Sequence, residues 1–97
     1  MRVLLVEDDP DQLRLLQLIV EAAGHAAVCC RTLAEARMAP YCELSLIDRG
    51  LPDGDALDFA LSLRGKVMLL TGAEGDSAGL PVLLKPVSPD ELRALLA

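Results

Sequence analysis

Val3-Leu4-Leu5-Val6 is an unbroken aliphatic run closed by Glu7-Asp8-Asp9, the pattern of a strand covered on both faces. From Pro10 the period changes. Leu13, Leu16, Ile19, Val20 and Ala23 recur at helical spacing, with Asp9 as the N-cap, Pro10 in the first turn and Gly24 as the stop. Ala26 to Cys30 predicts a second strand, and Thr32 caps a short helix from Leu33 to Met38. A third strand, Leu44-Ser45-Leu46-Ile47, ends on Asp48. The turn Leu51-Pro52-Asp53-Gly54 then leads to a helix containing Ala56, Leu57, Phe59, Ala60, Leu61 and Leu63, stopped by Gly65. Val67 to Leu70 is a fourth strand ending on Thr71. Val82 to Leu84 is a fifth, ending on Lys85, and Ser88 caps a last helix from Pro89 to Leu96. Short apolar runs alternating with helical patterns predict βαβ units, hence an α/β fold on a parallel sheet.

The whole chain, 97 residues, suits one domain spanning 1–97. With one Phe, one Tyr and no Trp, its core must be built from interlocking aliphatics. A net charge of −6 argues against direct nucleic-acid binding, which needs clustered Lys and Arg. No apolar run approaches the roughly 18 residues that span a bilayer, and the start turns acidic too early for a signal peptide. Cys29, Cys30 and Cys42 form neither a disulfide framework nor a metal spacing, so they read as small hydrophobes of a reducing cytoplasm. His25 has no second histidine to work with.

The chemistry is in the polar residues that close the strands. Glu7-Asp8, Asp48, Thr71 and Lys85 each follow an apolar run, and in a parallel sheet all of them come to the rim at the strands' carboxyl ends, where ligands bind. Each alone has a plain explanation: a charged helix entrance, a turn residue, a loop threonine, a solvated lysine. Together, three carboxylates and an ammonium at one rim suit a metal ion and a phosphoryl group better than they suit stability.

In this order the segments Val3-Leu4-Leu5-Val6-Glu7-Asp8-Asp9, Leu46-Ile47-Asp48-Arg49-Gly50-Leu51-Pro52-Asp53-Gly54, Leu70-Thr71-Gly72 and Leu84-Lys85-Pro86 resemble a response-regulator receiver domain of two-component signalling. The resemblance covers essentially the entire chain. It implies a flavodoxin-like, doubly wound, five-stranded parallel sheet of order 2-1-3-4-5. It further implies a phosphoacceptor rather than a classical enzyme, phosphorylated with Mg²⁺ by a histidine kinase or histidine phosphotransfer protein. Asp48 would be the nucleophile. Asp8 and Asp48 would ligate Mg²⁺ directly, Glu7 mainly through water, and Gly50 through its backbone carbonyl. Lys85 and Thr71 would hold phosphoryl oxygens, Gly72 would leave the group room, and a cis Lys85–Pro86 bond would aim the lysine. The first helix would dock the partner through Leu15, Leu18 and Ala22, which lie away from its sheet-facing side. The downstream protein is not legible.

Two departures stand out. Only thirteen residues separate Thr71 from Lys85, and Gly72, Gly75, Gly79 and Pro81 break up that stretch, so the usual fourth helix should be short or absent. The position three before the lysine, usually aromatic in the family, is Val82. A pseudo-receiver, an interaction module never phosphorylated in the cell, is therefore the alternative. A haloacid-dehalogenase-type phosphohydrolase wants a second Asp where Gly50 stands, and a P-loop lacks its first Gly at Ala60.

Overall fold

The computed structural model describes residues 1–72 and 75–97. Among the described residues eleven elements follow one another: β1 (Arg2–Val6), α1 (Pro10–Ala22), β2 (Ala26–Cys30), α2 (Leu33–Arg37), β3 (Leu44–Asp48), β4 (Gly50–Leu51), β5 (Gly54–Asp55), α3 (Leu57–Ser62), β6 (Lys66–Thr71), β7 (Val82–Leu84) and α4 (Pro89–Leu96). Five strands form a parallel sheet in the order β2-β1-β3-β6-β7. This is the 2-1-3-4-5 order of a doubly wound flavodoxin-like fold once the hairpin β4–β5, which pairs antiparallel on its own, is set aside.

Alternate residues of each central strand serve opposite layers, as the two-residue side-chain period requires. Val3, Leu5, Leu44, Leu46, Met68, Leu70 and Leu83 pack with α1 and α4. Leu4, Val6, Ile47, Val67 and Leu69 pack with α2, Leu51, Ala56 and α3. That double coverage is why the strands read as continuous aliphatic runs rather than as alternating ones.

The bounds of α3 and α1 differ from expectation. Helix α3 has six residues: Ala56 is its fully buried N-cap, and Leu63 has already turned extended. The N–H of Leu57 is met by the Asp55 carboxylate at 3.0 Å, so local side-chain chemistry starts the helix one residue late. Ala23, expected to face the sheet, is the exposed C-cap of α1. Gly65 closes the turn after α3 at φ +83°, where an added Cβ would lie 2.9 Å from the Glu43 carbonyl oxygen.

Between β6 and β7 the described residues form no helix; Ala73 and Glu74, within the stretch expected to lack one, lie outside them. The consequence shows on β7. Leu83 is buried against α4's layer, while Val82 and Leu84, which point to the other side, are 36% and 47% exposed. They line a groove of about 390 Å³ with Arg49, Leu69, Thr71, Gly75 and Ser77. The Arg49 guanidinium donates across it to the Asp76 carbonyl.

Candidate functional site

Backbone pairing brings the polar residues together. The Glu7 N–H donates to the Cys30 carbonyl at 3.0 Å, carrying the β1–β2 ladder one residue past β1. The Lys85 N–H donates to the Thr71 carbonyl at 2.8 Å and does the same for β6–β7. Asp48 is the last residue of β3, between them. The strand order thus sets Glu7, Asp48 and Lys85 side by side, although Glu7 and Lys85 lie at opposite ends of the chain.

The ammonium of Lys85 joins two buried carboxylates. Its Nζ is 2.8 Å from Glu7 Oε2 and 3.0 Å from Asp48 Oδ2. The remaining oxygens are also met: Glu7 Oε1 accepts from the Asp9 N–H at 3.2 Å, and Asp48 Oδ1 from the Gly50 N–H at 3.2 Å. Among the described residues no buried side-chain nitrogen or oxygen lacks a partner. Burial pushes the Glu7 carboxyl above its ordinary value of 4.5, and Asp48 adds to that push. The hydrogen bonds from Lys85 and Asp9 only partly offset it. Burial also pulls Lys85 down, but its bonds to Glu7 and Asp48 outweigh that, and the ammonium is held above its ordinary range. The two directions agree once the charges are counted. One ammonium shared by two carboxylates stays charged, while the more buried carboxylate is left short of positive charge.

Glu7, Asp8 and Asp48 each offer a carboxylate oxygen, and these atoms lie within 4.8 Å of one another. Opposite ligands of an octahedral Mg²⁺ are about 4.2 Å apart, from bond lengths of about 2.1 Å. The donors are all hard oxygens, and Asp8 reaches solvent, so the set fits a small divalent cation. The cation would compete with Lys85 for the negative charge of Glu7 and Asp48.

The other expected residues are placed as follows. Gly50 is exposed in β4, two residues past Asp48. Thr71, half-buried, ends β6 and borders the groove beside β7. Asp9 caps α1, accepting from the N–H groups of Asp11 and Gln12 at 2.9 and 3.3 Å. The Lys85–Pro86 bond is cis. On α1, Leu13, Leu16 and Val20 are buried, while Leu15, Leu18 and Ala22 are exposed. Leu15 also borders a concavity of about 190 Å³ with Gln12, Leu16, Ile19, Leu70, Pro86 and Val87. Two residues that sequence reasoning passed over tie these loops to the start of α2: Arg31 donates to the Asp8 carbonyl, and Asp53, in the hairpin that begins at Gly50, accepts from the Leu33 N–H. The only local hint of them was Thr32-x-x-Glu35, a capping-box pattern that fixes the segment between.

No family model matches the sequence. The chain is 35% identical, over 113 positions, to the transcriptional regulatory protein BasR of Escherichia coli (strain K12), a match covering 97% of this chain and 50% of that protein. It therefore spans about half the length of this curated relative. The match is longer than the chain itself, so BasR has residues there with no counterpart here. A receiver domain protein (CheY-like) of response regulators from Methanospirillum hungatei JF-1 superposes with a TM-score of 0.87 at 25% identity, covering 98% of this chain and 89% of that one. A two-component response regulator from Clostridium difficile superposes with a TM-score of 0.88 at 21% identity, covering 99% and 92%, and shares the fold.

Proposed function

We propose that this chain, which belongs to the response-regulator receiver (CheY-like) family of two-component signalling, accepts a phosphoryl group on Asp48 in a Mg²⁺-dependent reaction. The observation that carries the reading is the rim itself: three carboxylates within 4.8 Å of one another and an ammonium in contact with the two buried ones. That grouping costs stability, because three like charges share one counter-charge.

The donor is a histidine kinase or histidine phosphotransfer protein. A carboxylate oxygen of Asp48 forms the new bond to phosphorus, the phosphorus–nitrogen bond of the donor's phosphohistidine breaks, and the imidazole leaves with the electron pair and takes up a proton. Asp8, Asp48 and the Gly50 carbonyl would hold the Mg²⁺, with Glu7, the most buried of the three carboxylates, acting through water. The ion supplies the positive charge that lets an anionic group approach an anionic nucleophile. Lys85 then exchanges a carboxylate oxygen for a phosphoryl oxygen, and Thr71 donates to a second one. The donor docks on α1, where exposed Leu15 and Leu18 and the neighbouring 190 Å³ concavity offer an apolar foothold next to the rim.

The product is a changed affinity for a downstream protein, as a signalling module rather than a turnover enzyme. Three thiols and this partner class suit the reducing cytoplasm. Among the described residues no helix is long and apolar enough to cross a membrane. With a net charge of −6, nucleic acid is not its direct partner. Val82 and the lack of a helix among the described residues between β6 and β7 favour one second reading, a pseudo-receiver that binds partners without being phosphorylated. Acetyl phosphate with Mg²⁺ separates the two. Labelling that chelation stops and Asp48→Asn abolishes supports the phosphoacceptor; an unlabelled parent chain supports the pseudo-receiver.

A further inference from the structure

The segment from Arg31 to Ala34, where β2 passes into α2, touches both loops that bear the metal-side groups. On one side the Arg31 guanidinium donates from Nη2 and Nε to the Asp8 carbonyl at 3.2 and 3.4 Å. On the other, the two carboxylate oxygens of Asp53 accept from the N–H groups of Leu33 and Ala34 at 2.9 and 3.0 Å. Asp53 stands in the two-residue turn of the β4–β5 hairpin, whose first residue is Gly50. The segment itself is stiff. Thr32 Oγ1 accepts from the Glu35 N–H at 3.1 Å, while the Glu35 carboxylate reaches back to the Arg31 N–H at 2.7 Å. Such reciprocal capping fixes the start of a short helix that would otherwise fray. The two loops and the segment enclose one concavity of about 380 Å³, bordered by Asp8, Arg31, Thr32, Glu35 and Pro52.

Without these bonds the two loops would have little to set their separation at this end. The hairpin is tied at its base by Arg49 N–H to Leu70 O and Ala56 N–H to Arg49 O, each 3.0 Å, and by buried Leu51. Its tip reaches α2 through Asp53. The Asp8 side chain projects from a loop whose own carbonyl is held by Arg31.

We propose that Arg31 and Asp53 are positioning residues. Acting through the capped start of α2, they form a bracket that sets the distance between Asp8 and the Gly50 carbonyl, and so the affinity of the site for Mg²⁺. The bracket rests on the Mg²⁺ reading above. Neither residue touches the cation or the phosphoryl group, so binding is affected and chemistry at saturating cation is not.

The test is a Mg²⁺ titration of the whole chain followed by amide shifts of Asp8 and Gly50, with no phosphodonor present. Asp53→Ala should weaken Mg²⁺ by about tenfold, the lower end for loss of a residue that orients a metal ligand. Asp53→Asn keeps one acceptor oxygen and should fall between. Arg31→Ala should weaken it similarly. The double variant should lose less than the product of the two, because a bracket released at one end no longer holds at the other. Labelling by acetyl phosphate at saturating Mg²⁺ should stay near the parent rate. Amide exchange at Leu33 and Ala34 reports that the Asp53 bonds have gone in the Asp53 variants. Parent-like Mg²⁺ affinity despite that faster exchange overturns the bracket alone, as does a matching loss of rate at saturating Mg²⁺. A parent chain that binds no Mg²⁺ overturns the site reading and the bracket with it.

Discussion

Replacing Lys85 by Ala removes the one ammonium that contacts both Glu7 and Asp48, and the two consequences have opposite signs. At an effective dielectric constant of about 20, each contact near 3 Å is worth roughly 5–6 kcal/mol of gross attraction. Desolvation of the lysine consumes much of that, and removing one partner of a buried pair costs about 3–5 kcal/mol net. The lysine side chain is 20% exposed, so water can enter the vacated space. We therefore expect a loss of about 2–3 kcal/mol, a fall in Tm of roughly 10–20 °C for a domain of this size. The same removal frees oxygens of Glu7 and Asp48 and takes away a competing positive charge, so Mg²⁺ should bind more tightly, about tenfold for each 1.4 kcal/mol of competition relieved. Sequence reasoning, which gave Lys85 to the phosphoryl group alone, leads instead to near-normal metal binding. The pH dependence follows from Glu7. Burial already raises its pKa, and losing Lys85 removes the largest opposing influence. A raised carboxyl contributes stability that is present below its ordinary value, 4.5, and lost as pH rises through the folded value. The deficit of the variant should thus be small near pH 5 and larger at pH 8. Thermal melts at both pH values, with and without Mg²⁺, provide the assay. A deficit independent of pH, or weaker Mg²⁺ binding in the variant, would refute the reasoning.

Two further outcomes are expected. Leu15→Arg should slow phosphoryl transfer from the cognate kinase or phosphotransfer protein and leave labelling by acetyl phosphate unchanged; equal loss in both would count against docking on α1. Gly65→Ala should destabilise by about 1–3 kcal/mol in urea unfolding, because φ is +83° and the added methyl meets the Glu43 carbonyl, itself bonded to the Lys66 N–H at 3.0 Å.

The sheet was legible because its central strands are covered on both sides: Val3 to Val6 and Val67 to Leu70 are buried at every residue, so aliphatic runs and strands coincide. The acidic rim was legible for a related reason, since a buried strand can turn polar only where it ends. The β4–β5 hairpin was not, because two-residue strands carry no period and three of the four residues are exposed. Arg31 and Asp53 were missed because their bonds reach partners 19 to 23 residues away, and no local spacing encodes such a contact. The contact of Lys85 with Glu7, across 78 residues, depends on strand order and could be inferred only as a shared rim.

The uncovered side of β7 bears on local unfolding. A segment opens at a free energy set by what it buries, and β7 buries one side chain of three, whereas β3 buries all five. β7 is also the last strand of the sheet, hydrogen-bonded along one edge only. It should therefore exchange its amides ahead of β1 and β3, through openings that leave the rest of the sheet intact. Lys85 is the residue that follows it. Each such opening draws the ammonium away from Glu7 and Asp48 and leaves three carboxylates without a counter-charge, so uptake of a cation is coupled to the fluctuation of one three-residue strand.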